Sequence, residues 1–310
     1  MTNIPSLVLA LAQKEPSDTF YTHAPEWTWL VVVYFFVGGI AGGSAFLGAM
    51  LDLFGAPQDR PIARLAYLVA LPLITIGGPL LIWDLNRPER FWHMFIQSET
   101  GRPMFKYWSP ISFGAWGVGA FGLFALLAGV GALAEMGLLP RALRALREGP
   151  LGKIISALAG LFGLFVAGYT GILLAATNRP LWADTSLLGL LFLLSSISAA
   201  AAALILLSWR RGHPGSLHWL SQMDAYSSVL ELVTLIVIVV SLGSVVREVW
   251  GNGWGVLLAV GTVLLGILIP LALHFRPRLA GRMSLPGAAA LVLIGAFVLR
   301  AVVVLSSEAV

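Results

Sequence analysis

Two ionisable residues, Glu231 and Arg300, fall well inside long apolar runs of this sequence. An ionisable group in hydrocarbon is costly and is a functional candidate by default. A carboxylate there suits proton transfer. Asp224, seven residues before Glu231, falls on the same helical face, and Asp52 and His274 lie near the same membrane boundary. A polar inlet towards Glu231 is one expectation; solvated helix ends and a structural hydrogen bond are the other. Arg300 is close enough to the end of its run to snorkel to the headgroups. Two tyrosines come next. Tyr34 and Tyr169 each lie seven or eight residues from the end of an apolar run, which is ~10 to 12 Å at helical rise. That is deeper than an interfacial aromatic belt. Their hydroxyls need partners, either a shared ligand or neighbouring helices.

Other chemistries lack their residues. The five histidines, at 23, 93, 213, 218 and 274, offer no opposed intramembrane pair for a haem. The chain has no cysteine, which excludes a protein-held iron–sulfur cluster, a disulfide framework and a thiolate metal site within it. Phosphate-binding glycine loops, zinc spacings and nucleophile elbows are missing as well, so nucleotide chemistry and hydrolysis have no support.

The elements that position these residues are membrane helices. The 310 residues are 58% hydrophobic and 11% charged, against about a quarter charged in soluble domains. Continuous runs long enough to cross a ~30 Å hydrocarbon core occur near 27–51, 65–83, 108–134, 154–177, 185–209, 225–246, 254–273 and 285–305. They are rich in Leu, Ala and Gly and lack the short alternation of barrel strands. Residues 1–26 read as an uncleaved surface segment without a signal-peptide pattern. The loops after spans one, three, five and seven carry eleven Lys and Arg, against seven on the other face. The more basic face is expected to be cytoplasmic, with both termini outside. Basic residues set so close to spans orient the protein and give no support to nucleic-acid binding.

Glycines add detail. Gly38, Gly39, Gly42 and Gly43 form overlapping small-xxx-small pairs in span one, suited to close helix contact. Gly77, Gly78 and Pro79 are expected to loosen span two one turn before Asp84, with a cavity near the outer ends of spans one and two. The outer loop 86–107 departs from the charge bias by concentrating Arg87, Arg90, Arg102 and Lys106 beside aromatic residues. A docking surface would explain it.

Two long motifs extend this reading. The run Trp83-Asp84-Leu85-Asn86-Arg87-Pro88-Glu89-Arg90-Phe91-Trp92-His93-Met94, with Trp108-Ser109-Pro110-Ile111-Ser112-Phe113-Gly114-Ala115-Trp116, resembles the NrfD/PsrC family of quinone-interacting membrane subunits of polysulfide reductase-like complexes. So does Gly168-Tyr169-Thr170-Gly171-Ile172-Leu173-Leu174-Ala175-Ala176-Thr177-Asn178-Arg179-Pro180-Leu181-Trp182. The likeness covers spans one to five; the last three match only in length and hydropathy.

The resemblance implies an all-helical protein of two four-helix bundles, here 27–180 and 181–310, in a prokaryotic inner membrane. It implies a menaquinone or ubiquinone headgroup near the outer face. The family's span-four tyrosine maps to Tyr169, beside Thr170, and Tyr34 stands where some members have a histidine on span one. A phenol accepts protons poorly at neutral pH, so Asp84 takes that role. It also implies a four-cluster ferredoxin-like iron–sulfur subunit docked on Arg87, Arg90, Phe91, His93, Arg102 and Lys106. That subunit passes electrons to or from a molybdopterin catalytic subunit. Proton movement from the other face falls to Glu231, Asp224 and Asp52. The competing readings are a secondary transporter, which would need matched broken helices in both halves, and a passive anchor without quinone chemistry.

Overall fold

The computed structural model describes residues 27–85, 87–276 and 281–308. The expected surface segment 1–26 and Asn86 lie outside them. Eight helices among the described residues are long and apolar enough to cross a membrane. They are α1 (Trp29–Phe54), α2 (Arg60–Trp83), α3 (Pro110–Glu135), α4 (Gly149–Ala175), α5 (Leu188–Ser208), α6 (Pro214–Leu242), α7 (Gly253–Phe275) and α8 (Ser284–Glu308). Residues of these types form helices in lipid because every backbone N–H and C=O must find a partner within its own segment. Proline at the first turn opens α3 and α6, where its missing N–H costs nothing.

The helix α1 is the hub, packing on α2, α4 and α5, while α5 packs in turn on α6 and α8. Close approach explains the glycines of span one. A side chain at Gly42 would collide with the backbone of Gly163 in α4, and one at Gly39 would meet Ser196 of α5 and the guanidinium of Arg300 in α8. These helices associate by backbone-level contact, as small residues permit in lipid.

Three expectations change. The first concerns α2, which runs unbroken through Gly77, Gly78 and Pro79: Gly77 receives the ring of Tyr34, and nothing crowds Gly78. Second, α6 starts at Pro214, eleven residues before the expected 225. The polar stretch 214–224 is helical because His213 caps it through Gly215 N–H and its polar side chains find partners on neighbouring helices. Third, α7 is not a regular α-helix throughout, because residues Leu258–Leu268 form a π-helix. Ile269 N–H donates to Leu264 O at its end, and Pro270, which has no N–H to donate, lies in the α-helical turn that follows. The helical run from Gly253 to Phe275 has no gap.

Residues 88–104 of the loop after α2 form defined structure. A 3-10 helix over Pro88–Met94 leads to a short hairpin closed by an antiparallel bridge between Ile96 and Pro103. Trp116 of α3 donates from Nε1 to Met104 O at 2.9 Å and packs edge-on against Phe95 and Phe105. This clamp holds the loop on the helix ends.

Candidate functional site

The two tyrosines come together. Tyr34 is buried on α1, with its ring against Gly77 of α2 and tilted over Phe35. Tyr169 on α4 stacks on Phe165 at 5.3 Å and is near enough to Tyr34 for the two phenols to interact electrostatically. Their hydroxyls differ. Tyr169 donates to Pro110 O in the first turn of α3 at 2.7 Å, and Gly114 one turn on leaves room for its ring, which any side chain there would strike. The Tyr34 hydroxyl is buried and meets no hydrogen-bond partner among the described residues. Thr170 is buried beside them, its hydroxyl turned back to Ala167 O in its own helix.

Asp84 ends α2. It stands seven residues beyond Gly77, about 10 Å further along the helix axis than the residue that touches Tyr34. It therefore lies above the phenols, towards the loop, and does not share their layer. Partial burial holds its carboxyl above the usual carboxylate range. Three clefts among the described residues, of about 250, 80 and 290 Å³, open at the opposite face.

A second buried polar group surrounds Arg300, which does not snorkel as expected. It is 1% exposed and spends its donors on four oxygens: Nε to Phe35 O at 3.0 Å, Nη1 to Ser195 Oγ at 3.1 Å and Ala296 O at 2.8 Å, Nη2 to Ser196 Oγ at 2.8 Å. Its guanidinium also lies over the Phe192 ring. With such partners inside the protein, reaching out to the headgroups would gain it nothing. Glu231 of α6 is buried in the field of Arg300. Further down α6, Ser198 donates to Asp224 at 2.6 Å and sits 3.1 Å from Ser228. Below that, Ser221 pairs with His274 Nδ1 at 2.8 Å. Residues 221, 224, 228 and 231 follow the 3-4-3 spacing of one helix face. The stripe leads from the start of α6 to Arg300, which touches the residue next to Tyr34.

Asp52 does not join this stripe. It accepts from Arg147 Nη2 at 2.8 and 3.0 Å and from Ser156 at 3.1 Å, between α1 and α4. The sequence reading missed Ser195, Ser196, Ser198 and Ser228. Three serines in four residues of an otherwise apolar span five were the available signal. The loop residues Arg87, Arg90, Phe91, Arg102 and Lys106 are exposed and His93 is half-buried, tilted against Trp92.

Comparison with known proteins bears on the whole chain. The family model described as "Polysulphide reductase, NrfD" matches residues 19–310. The chain is similar to protein NrfD of Escherichia coli, at 25% identity over 92% of this chain and 95% of that protein. It is also similar to one of the polysulfide reductase chains of Wolinella succinogenes, at 32% identity over 23% of each protein. One of the selenate reductase subunits of Mesobacillus selenatarsenatis is 28% identical over 30% of this chain. The match spans only about a fifth of that relative, 22% of its length.

Proposed function

The chain belongs to the polysulphide reductase NrfD family, and from that premise we propose that it exchanges electrons between a membrane quinone and a docked iron–sulfur subunit of a molybdopterin oxidoreductase. The observation that carries the reading is the buried, unpartnered hydroxyl of Tyr34 beside Tyr169. A buried donor without an acceptor costs about 1–3 kcal/mol, and a quinone carbonyl would accept from it. A quinone supplies two-electron, two-proton chemistry of its own. The residues of this chain give the headgroup a donor in Tyr34 and an aromatic wall in Phe165 and Tyr169. Thr170 borders the pocket. Asp84, above the layer, exchanges protons with the water side. The exposed cations Arg87, Arg90, Arg102 and Lys106, with Phe91 and His93, form the docking surface, and the Trp116 clamp keeps it in register with the pocket below.

In this reading α1–α4 and α5–α8 are two four-helix bundles, with the quinone site in the first and both termini on the outer face of an inner membrane. A second reading adds to it. The α6 stripe of Ser221, Asp224, Ser228 and Glu231 carries protons from the basic face towards Arg300; Asp52, tied to Arg147, takes no part. Its favouring observation is the burial of Glu231 in the field of an arginine held by neutral oxygens.

The test is binding of a quinone analogue to the purified complex. Tyr34→Phe is expected to weaken it about tenfold, the value of one buried hydrogen bond, with assembly intact. Unchanged affinity in Tyr34→Phe and in its double variant with Tyr169→Phe would place the headgroup elsewhere. For the stripe, Glu231→Gln should assemble normally and lower the membrane potential generated per turnover; an unchanged potential removes the proton route.

A further inference from the structure

The face opposite the Trp116 clamp carries a second feature, remote from both polar groups. Between α2, the 141–147 segment and the start of α4 lie two adjoining cavities of about 250 and 80 Å³ that share Arg60 and Glu135. Arg64 and Arg144 border the larger; Arg147 and Lys153 border the smaller. Three carboxylates already occupy part of this ground: Asp52 binds Arg147 Nη2, Glu135 faces Arg147 Nε at 3.2 Å, and Glu148 borders the larger cavity. They do not exhaust it. The Arg147 side chain is 3% exposed, yet its Nη1 meets no hydrogen-bond acceptor. The smaller cavity also reaches Gly149 and Gly152 in the first turn of α4, a 27-residue helix whose N-terminus has no side-chain cap. A long helix presents unsatisfied N–H groups and partial positive charge there.

A buried guanidinium with a spare donor, an uncapped helix N-terminus and four further cations at one cleft outnumber the carboxylates there and ask for the same ligand chemistry, an oxyanion with several acceptors. The setting adds to this. Leu151 and Ile154, on the first turns of α4, are more than half exposed, and they give an apolar flank beside the cleft. We propose that this cleft binds a phosphate group, either the headgroup phosphate of an anionic phospholipid whose acyl chains lie along α4 or a free phosphate.

The assay is thermal unfolding of the delipidated complex in neutral detergent, titrated separately with short-chain phosphatidylglycerol, phosphatidylcholine and inorganic phosphate. The wild type should be stabilised by phosphatidylglycerol well below the concentration at which phosphatidylcholine acts. If inorganic phosphate matches it, the ligand is the free anion; if it does not, the ligand is the lipid. Arg60→Gln with Lys153→Gln spares the Arg147–Asp52 pair, so folding should persist. It should weaken binding about thirtyfold, as the loss of two surface cations implies. Should neither phosphate probe stabilise the wild type beyond phosphatidylcholine, or should the double variant bind as tightly, the cleft is no phosphate site.

Discussion

Arg147 and Arg300 are both buried guanidiniums, yet they are neutralised in opposite ways. Arg147, at the membrane face, is met directly by Asp52 and Glu135 and lies over the Tyr67 ring. Arg300, in the midst of the helices, is met by two serines and two backbone carbonyls, and Glu231, though within its field, forms no direct ion pair with it among the described residues. Direct ion pairing fixes the charge of both partners, because removing one strands the other. Solvation by neutral dipoles holds the arginine in place whether or not Glu231 carries a proton. The first arrangement is a fastening and the second leaves a carboxyl free to change state.

The largest effect that tests this contrast is on stability. Asp52→Ala leaves the Arg147 Nη2 without its acceptors, and breaking a buried pair in this way costs about 3–5 kcal/mol. Glu231→Gln breaks no direct ion pair and should cost less than about 1 kcal/mol. Thermal unfolding of the two variants in the same detergent reads the difference, and equal losses would erase the contrast. Next in size is Arg300→Lys. An ammonium is a point charge and cannot reach all four oxygens of a planar fork, so a loss of about 1–3 kcal/mol is expected. A variant as stable as wild type would show that the guanidinium geometry is dispensable.

The tyrosines sharpen the same point at smaller scale. Tyr169→Phe gives up the bond to Pro110 O and should lower stability by about 1 kcal/mol, whereas Tyr34→Phe removes a hydroxyl with nothing to lose and should leave stability unchanged or raised. Opposite ordering in unfolding would contradict the assignment of a free hydroxyl to Tyr34. The smallest effect concerns pH. Burial raises the Asp84 carboxyl above its ordinary range. Its neutral form therefore favours the folded protein below that range, and the contribution fades as pH rises through the shifted value. Asp84→Asn should flatten that part of the stability profile and of the pH profile of quinone turnover. An identical pair of profiles would show that Asp84 exchanges no proton there.

Much of the architecture was legible because length and hydropathy are local properties. The eight spans and the burial of Glu231 follow from counting along one helix. What was not legible is long-range. Arg300 finds Phe35 across 265 positions and Ser195 across 105, so its sequence neighbourhood suggested the headgroups as the nearest relief. Asp52 was grouped with Asp224 on shared depth alone, and depth does not distinguish a place between α1 and α4 from one between α5 and α6. The π-helical stretch of α7 likewise has no mark in hydropathy, since Leu258–Leu268 is uniformly apolar or small.

The early start of α6 has a mechanical consequence. Its 29 residues amount to about 43 Å at helical rise, some 13 Å more than a ~30 Å hydrocarbon core. Placed at the polar end, that excess sets the lipid boundary near Asp224 and leaves Glu231 about 10 Å inside. The apolar part that remains, 225–242, is about 27 Å long at helical rise, so a thicker bilayer would draw the turn that carries Asp224 below the water boundary. Hydrophobic mismatch is thereby tied to the wetting of the carboxylates. The same protein in thin and thick bilayers should differ in how readily its α6 stripe is hydrated.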